Sequence, residues 1–347
     1  MNSWRNPGVM AALGAAALFG AGAPAAKLLL GSTSPWLLAG LLYLGSGVGL
    51  AMARQFRGTE SVNMARADVK WLAIAVATGG VIGPVLLMVG LSRMPASAAS
   101  LLLNAEAVFT ALLAWFVFHE NFDRRIALGM VLIVLGALAL SWPRDSGLVS
   151  VLPALAVLGA CFSWALDNNL TRKIALTDAT FIAMIKGLVA GWVNVTIAWT
   201  VGATFPSFQV IAAAGAVGFF SFGASLVLFV IALRHLGAAR TGAYFSIAPF
   251  AGALISFVVL GETVTATLVF AGLLMGAGVW LHLTERHEHA HTHDVTEHTH
   301  EHAHDEHHQH EHAISVPHGT CHIHQHRHDA LKHSHSHYPD AHHGHRH

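Results

Sequence analysis

Short polar breaks divide the chain, up to about residue 283, into apolar runs of about 20 residues, the length an α-helix needs to cross a hydrocarbon core of about 30 Å. The runs fall at 9–30, 35–53, 71–91, 95–118, 125–142, 150–170, 179–200, 208–233, 238–260 and 264–283. This pattern predicts an all-α integral membrane protein of about ten transmembrane helices. After Leu283 the apolar runs stop, and 24 of the 27 histidines lie beyond that point. The expected organisation is therefore two five-helix units, 1–145 and 146–283, followed by a histidine-rich tail, 284–347.

Composition agrees with membrane residence: 54% of the residues are apolar and 11% charged, against about 25% charged in a soluble domain. The net charge of zero hides an asymmetry, because the tail holds ten Asp and Glu against four Lys and Arg. With the N-terminus inside, twelve basic residues face the cytoplasmic side, among them Arg54, Arg57, Arg124, Arg125, Arg172 and Lys173. Three, Lys27, Arg93 and Arg144, face outward. That bias predicts a multi-pass protein of a bacterial-type inner membrane with both termini in the cytoplasm. Trp36, Trp71, Trp142, Trp199 and Trp280 fall near span ends, where an indole anchors in the headgroup layer.

The two halves match. Leu91-Ser-Arg93-Met-Pro-Ala, running to Ala-Trp-Phe-Val-Phe-His-Glu120, is echoed by Ala232-Leu-Arg234-His-Leu-Gly, running to Ser-Phe-Val-Val-Leu-Gly-Glu262, roughly 142 residues later. A Gly-rich apolar span follows each copy. Five spans per half is an odd number, so the second half crosses the membrane in the opposite sense, as in secondary transporters with a central site between inverted repeats. Gly272, Gly276 and Gly278 in the last span offer a close helix contact. Packing within the chain is the simpler use of that face, and a homodimer the other.

The paired halves, each with a small-residue helix closed by a Glu and followed by a Gly-rich span, resemble the EamA-type permeases of the drug/metabolite transporter superfamily. The resemblance covers about residues 8–283 and is most specific at Asn104-Ala-Glu106-Ala-Val-Phe-Thr110 through Glu120, and at Ala248-Pro249-Phe250 through Glu262. It implies a ten-helix carrier of small organic solutes that needs no cofactor for transport. Ala107 stands where the second half has Pro249, so a helix break at Pro249 need not recur in the first half.

An ionisable group inside a span costs about 2.5–3.5 kcal/mol on insertion scales, so such groups face cavities or partners. Glu106, Asp167 and Lys186 are therefore the expected groups for solute binding or proton coupling. Asn104, Asn168, Tyr43 and Trp164 join them as polar or aromatic cavity candidates, and Lys186 falls opposite Tyr43 in the repeat. Trp192 and Tyr244 are further aromatic candidates. A plainer arrangement has Glu106 paired with Lys186 and Asp167 lying at the membrane surface. Lys27 is expected to snorkel to the outer interface, and Glu120 and Glu262 to bond to adjacent loops.

The tail begins with alternating histidine, His287, His289, His291 and His293, then His298, His300, His302 and His304, then His307, His308, His310 and His312. It has too few apolar residues to bury a core and is expected to be disordered without metal. Neutral imidazoles at this density form a ligand set for divalent Zn, Ni, Co or Cu.

The expected partners are thus the lipid bilayer, a small-molecule solute and divalent metal ions, with no nucleic acid. The leading expectation is a secondary transporter of a small organic solute or metabolite with a metal-binding regulatory or buffering tail. A divalent-metal efflux carrier using the tail to collect ions is the first alternative. The spans lack the paired His or acidic ligands that an intramembrane metal site needs. A membrane-anchored metal store is the second alternative, and ten spans exceed what an anchor requires. No nucleophile motif or phosphate loop suggests an enzyme.

Overall fold

The structure is a computed structural model and describes residues 7–57, 64, 66–118, 124–142, 151–171, 174, 178–283, 288–293, 296–302, 322–328 and 331–336. Residues 1–285 and 286–347 form two separate compact units.

The first unit is helical. α1 (Pro7–Leu29) and α2 (Pro35–Arg57) are followed by a third span made of α3 (Arg66–Ala75), a π-helical turn (Val76–Ile82) and α4 (Gly83–Arg93). The fourth span is broken into α5 (Ala96–Leu102) and α6 (Ala105–Phe118), and α7 (Arg124–Ser141) ends the first half. The second half holds α8 (Leu152–Thr171), α9 (Ala179–Thr200), α10 (Phe208–Gly218), a second π turn (Phe219–Ala224), α11 (Ser225–Phe245), α12 (Ala248–Leu260) and α13 (Ala266–Leu283). Among the described residues, seven helical stretches are long and apolar enough to cross a membrane, and Ala248–Leu260 and Ala266–Leu281 are shorter apolar helices. The 20-residue α8, with Asp167, Asn168 and Asn169 near its end, completes ten segments. One boundary differs from expectation. α11 runs unbroken through 234–237, where a loop was expected, and the chain turns instead at Ser246–Ile247.

Packing follows the two-fold relation between halves. α1 lies against α11 and α12, and its counterpart α8 lies against α4 and α6, while α2 pairs with α9, α5 with α12 and α7 with α13. The π turns recur at corresponding places. Small residues permit these contacts, since dispersion between close backbones must replace a hydrophobic drive that lipid does not supply. A Cβ on Gly45 would stand 2.2 Å from the Gly215 carbonyl oxygen, and one on Gly218 2.0 Å from that of Leu42, so α2 and α10 touch through their backbones. In α13, a Cβ on Gly278 would meet the Gly129 oxygen at 2.6 Å, while Gly272 and Gly276 face Leu101 and Phe250. All three thus pack within the chain. Exposed apolar side chains such as Leu128, Leu138, Val258 and Leu273 ring the outside, as a lipid-facing surface requires.

In the second unit the described residues pair as strands where disorder was expected. β1 (Glu288–His293) is antiparallel to β4 (Leu331–Ser336), and β2 (Thr296–His302) to β3 (His322–His328). Alternation of histidine with other residues has the two-residue period of a strand, which accounts for the pairing.

At the start of α9, Asp178 accepts hydrogen bonds from the N–H groups of Thr180 (2.8 Å) and Phe181 (3.1 Å) and pairs with Arg54 from the end of α2. Partial burial pushes the carboxyl up. The bond from Arg54, with those from Phe181 and Thr180, outweighs that and holds its pKa below the usual carboxylate value. A depressed folded pKa gives stability that is present above the unfolded pKa of about 4 and fades as pH falls through the folded one. Asp178→Ala should accordingly lower the melting temperature of the detergent-purified protein at pH 7, with the gap to wild type narrowing in acid. The backbone contact gives a second expectation. Gly45→Ala should cost about 1–3 kcal/mol by overpacking, whereas Gly215→Ala, with nothing within 4 Å of its added Cβ, should melt like wild type.

Candidate functional site

A cavity of about 860 Å³ lies between the two halves, lined by α1, α2, α5–α6, α8 and α11–α13. Its wall is a run of aromatic rings in mutual contact. Tyr43 meets Phe222 at 5.9 Å between centroids, Phe222 meets Phe19 at 5.9 Å, Phe19 meets Phe245 at 5.3 Å, and Phe245 meets Phe229 at 4.9 Å. Glu106, in the first turn of α6, supplies the one formal charge among the described lining residues. Its Oε1 accepts a hydrogen bond of 2.7 Å from the Asn168 amide, and no described Lys or Arg pairs with it. One turn further along α6, the buried Thr110 hydroxyl has no partner among the described residues.

The break that presents Glu106 is local. At Leu103–Asn104 the helix turns, and the Leu101 oxygen accepts both the Asn104 backbone N–H at 3.1 Å and the Asn104 side-chain amide at 2.9 Å. The corresponding place in the second half is the turn at Ser246–Ile247, with Pro249 in the first turn of α12. The break therefore recurs in both halves although Ala107 replaces the proline.

Asp167 and Lys186 stand behind this wall. The Lys186 ammonium donates to both Asp167 carboxylate oxygens at 2.6 Å and to the Thr171 hydroxyl at 3.3 Å. Asp167 is 6% exposed, so the alternative that placed it at the membrane surface is overturned, and so is a Glu106–Lys186 pair. The π turn makes room for it: a Cβ on Gly79 would lie 2.0 Å from Asp167 Oδ2. The Gly79 carbonyl accepts from both the Tyr43 hydroxyl and the Trp164 indole N–H, each at 2.9 Å, and the Asn194 amide donates to the Gly80 oxygen at 3.2 Å.

At one end the cavity abuts a small pocket of about 20 Å³ lined by Ala23, Leu87 and Ser100. One turn beyond them in α1 and α5, Lys27 and Ser97 line a second cavity of about 970 Å³ with Arg93, Trp142 and Glu262. Lys27 does not snorkel freely. Its ammonium donates to the carbonyls of Leu91 and Met94 at the C-terminal end of α4. Gly261, at φ 64°, turns the chain after α12 so that Glu262 accepts from the N–H groups of Ala96 (2.7 Å) and Ser97 (2.9 Å) at the start of α5. A cation on a helix C-terminus and a carboxylate on the next N-terminus complement both dipoles.

Of the residues expected from sequence, Tyr43, Asn104, Glu106, Trp164 and Asn168 line the central cavity, and Asp167 and Lys186 form the pair behind it. Trp192 lies 63% exposed, away from the cavity. The phenylalanines Phe19, Phe222, Phe229 and Phe245 were missed, because nothing in a uniformly apolar helix marks which ring faces a cavity. In the tail, His289, His291, His293, His298, His300 and His302 fall on β1 and β2. His287, His304, His307, His308, His310 and His312 lie outside the described residues.

Two inverted helical repeats around a central cavity with broken helices define a multi-pass membrane transporter. The chain belongs to the EamA-like transporter family, which matches it at residues 6–142 and 151–284. It is 30% identical over 292 residues to an uncharacterized transporter of Methanothermobacter thermautotrophicus, covering 79% of this chain and 85% of that one. A probable amino-acid metabolite efflux pump of Salmonella typhimurium is 39% identical over 82 residues, 23% of this chain and 27% of the pump. A solved crystal structure superposes with a TM-score of 0.60 at 17% identity, over 80% of this chain and 96% of that one, and so shares the fold.

Removing one member of the Asp167–Lys186 pair leaves a charge buried alone, at a cost of about 3–5 kcal/mol. Lys186→Met should therefore lower the melting temperature more than the double variant Asp167→Asn/Lys186→Met, as a thermal shift assay in detergent can read.

Proposed function

We propose that the protein is a secondary transporter of the inner membrane that carries small organic solutes bearing a cationic amino group, by alternating access of its two halves to the central cavity. The observation that carries this reading is the single carboxylate of Glu106 in a cavity walled by aromatic rings in edge-on and tilted contact. A lone carboxylate beside an amide suits an ammonium group, and the rings accept the apolar body and stabilise the cation over their faces. These donors suit an organic cation better than a transition metal, which takes several nitrogen, sulfur or carboxylate ligands. A volume of about 860 Å³ falls within the range of small-molecule sites.

With both termini in the cytoplasm, the closed end at Lys27 and Glu262 faces outward, and the described conformation is the inward-facing one. The Lys27 and Glu262 bonds hold the outer side shut, and opening it requires their release. The histidine-rich tail then sits in the cytoplasm and binds divalent transition metal as a buffer or regulator, imidazole being its dominant donor.

Proteoliposomes holding the full chain, assayed with a radiolabelled aryl-ethylamine, an amino-acid panel and labelled Ni, Co and Zn, test this directly. The amine is expected to move and to compete with the amino-bearing solutes. Glu106→Gln should weaken its uptake about 10- to 100-fold, the loss of one charge-assisted hydrogen bond of about 1.5–3 kcal/mol. Transport of metal alone, unaffected by Glu106→Gln, would replace this reading with metal efflux.

A further inference from the structure

The register of the tail strands sorts the histidines in a way their spacing alone does not show. In β2 and β3, His298 stands opposite His326, His300 opposite His324 and His302 opposite His322. In β1 and β4, His289 stands opposite His335 and His291 opposite His333. Opposite residues of an antiparallel pair share a face, and alternate residues along a strand share it too. Every histidine of the four strands therefore falls on one face of its ribbon. Thr296 and Leu331, opposite His328 and His293, share the histidine faces, and the other faces take the remaining residues, with Glu297 opposite Arg327, a charge pair that favours this register over a slip by one.

We infer that each ribbon holds one divalent transition-metal ion between two successive cross-strand histidine pairs, so that His322, His324, His326, His333 and His335 are ligands on equal terms with the dense cluster nearer the membrane unit. The inference rests on the proposal that the tail binds metal and adds where and how. Residues directly opposite have Cβ atoms about 4.5–5.5 Å apart, and successive pairs are spaced by about 6.8 Å along the strand. Four histidine positions thus frame one spot on the face, the number of ligands a tetrahedral ion takes at Zn–N distances of about 2.0–2.1 Å. The ion also does structural work. A two-stranded ribbon alone is marginally stable in water, and a metal that joins both strands couples binding to pairing. β1 with β4, and β2 with β3, then close around their ions as clips whose formation reports cytoplasmic metal. Neither half of the tail suffices for such a site.

The test uses the full chain in detergent, with Zn²⁺ titrated against a competing chelator and Co²⁺ as a spectroscopic probe of coordination geometry. One variant breaks every cross-strand pair by replacing His322, His324, His326, His333 and His335 with Asn and leaves the first cluster whole. Its control replaces His304, His307, His308, His310 and His312, the same number, and leaves every pair whole. The expected result is two tight Zn²⁺ ions per wild-type chain with a tetrahedral Co²⁺ spectrum. Both should survive in the control, with at least a tenfold loss of affinity and loss of the spectrum in the pair-breaking variant. Equal losses in the two variants, or a larger loss in the control, would overturn the paired sites while leaving a metal-binding tail in place. Absence of Zn²⁺ binding by the wild-type chain would overturn both.

Discussion

Inside a bilayer no water is at hand to take up a freed backbone group, and this constraint governs where the chain can depart from regular helix. At several of its departures a side chain meets the backbone. In the π turn at Val76–Ile82 the Gly79 carbonyl takes both the Tyr43 hydroxyl and the Trp164 indole, and Asn194 answers Gly80. The turn at Leu103–Asn104 is answered by Asn104 itself. Because the donors come from α2, α8 and α9, satisfying one irregular segment fastens elements of both halves to it. The cavity forms where those segments meet, since a broken helix cannot fill the space that a straight one would.

The same economy governs charge. Asp167 and Lys186 neutralise one another at 2.6 Å, and Gly79 is the residue that lets the carboxylate reach that position beside the π turn. With that pair closed, Glu106 is the charge left facing the cavity, and its nearest described polar partner is a neutral amide that leaves the carboxylate's charge uncompensated. On the proposed function, that carboxylate is the group that meets the solute's ammonium. The buried pair, for its part, joins α8 to α9 beside the same segment.

Much of this was legible in the sequence. Ten segments, the repeat and its inversion follow from the lengths of apolar runs and from the echo of Arg93–Glu120 in Arg234–Glu262. Intramembrane polarity pointed to Glu106, Asp167 and Lys186 because burying such groups is costly enough to be rare. Who pairs with whom was not legible. Asp167 and Lys186 belong to neighbouring helices and meet only because Gly79 admits them, a tertiary fact with no local signature. The end of the expected eighth span was misplaced for a related reason. Arg234 and Gly237 look like a loop by composition, yet the backbone stays helical to Phe245, and the turn comes just before Pro249 instead. The tail shows the reverse case: its two-residue period was visible, but only the register of the strands assigns the histidines after Cys321 to partners before it.

The backbone repeats where the chemistry does not. With the offset of roughly 142 residues, Glu106 corresponds to Ala248, and Asp167 to Ala25. Symmetric helices, π turns and breaks therefore frame a site whose charge lies on one side. This division has a mechanical rationale. Alternating access needs two conformations of comparable energy, and inverted repeats supply them because each half can adopt the shape of the other. Binding one solute needs no such symmetry, and a second carboxylate at Ala248 would set like charges facing one another in a low-dielectric cavity. The closed end obeys the first requirement. Lys27 and Glu262 each bond to a helix end, so on the proposed reading their release exposes groups that water at the membrane surface can solvate, and the closed state is held without being locked.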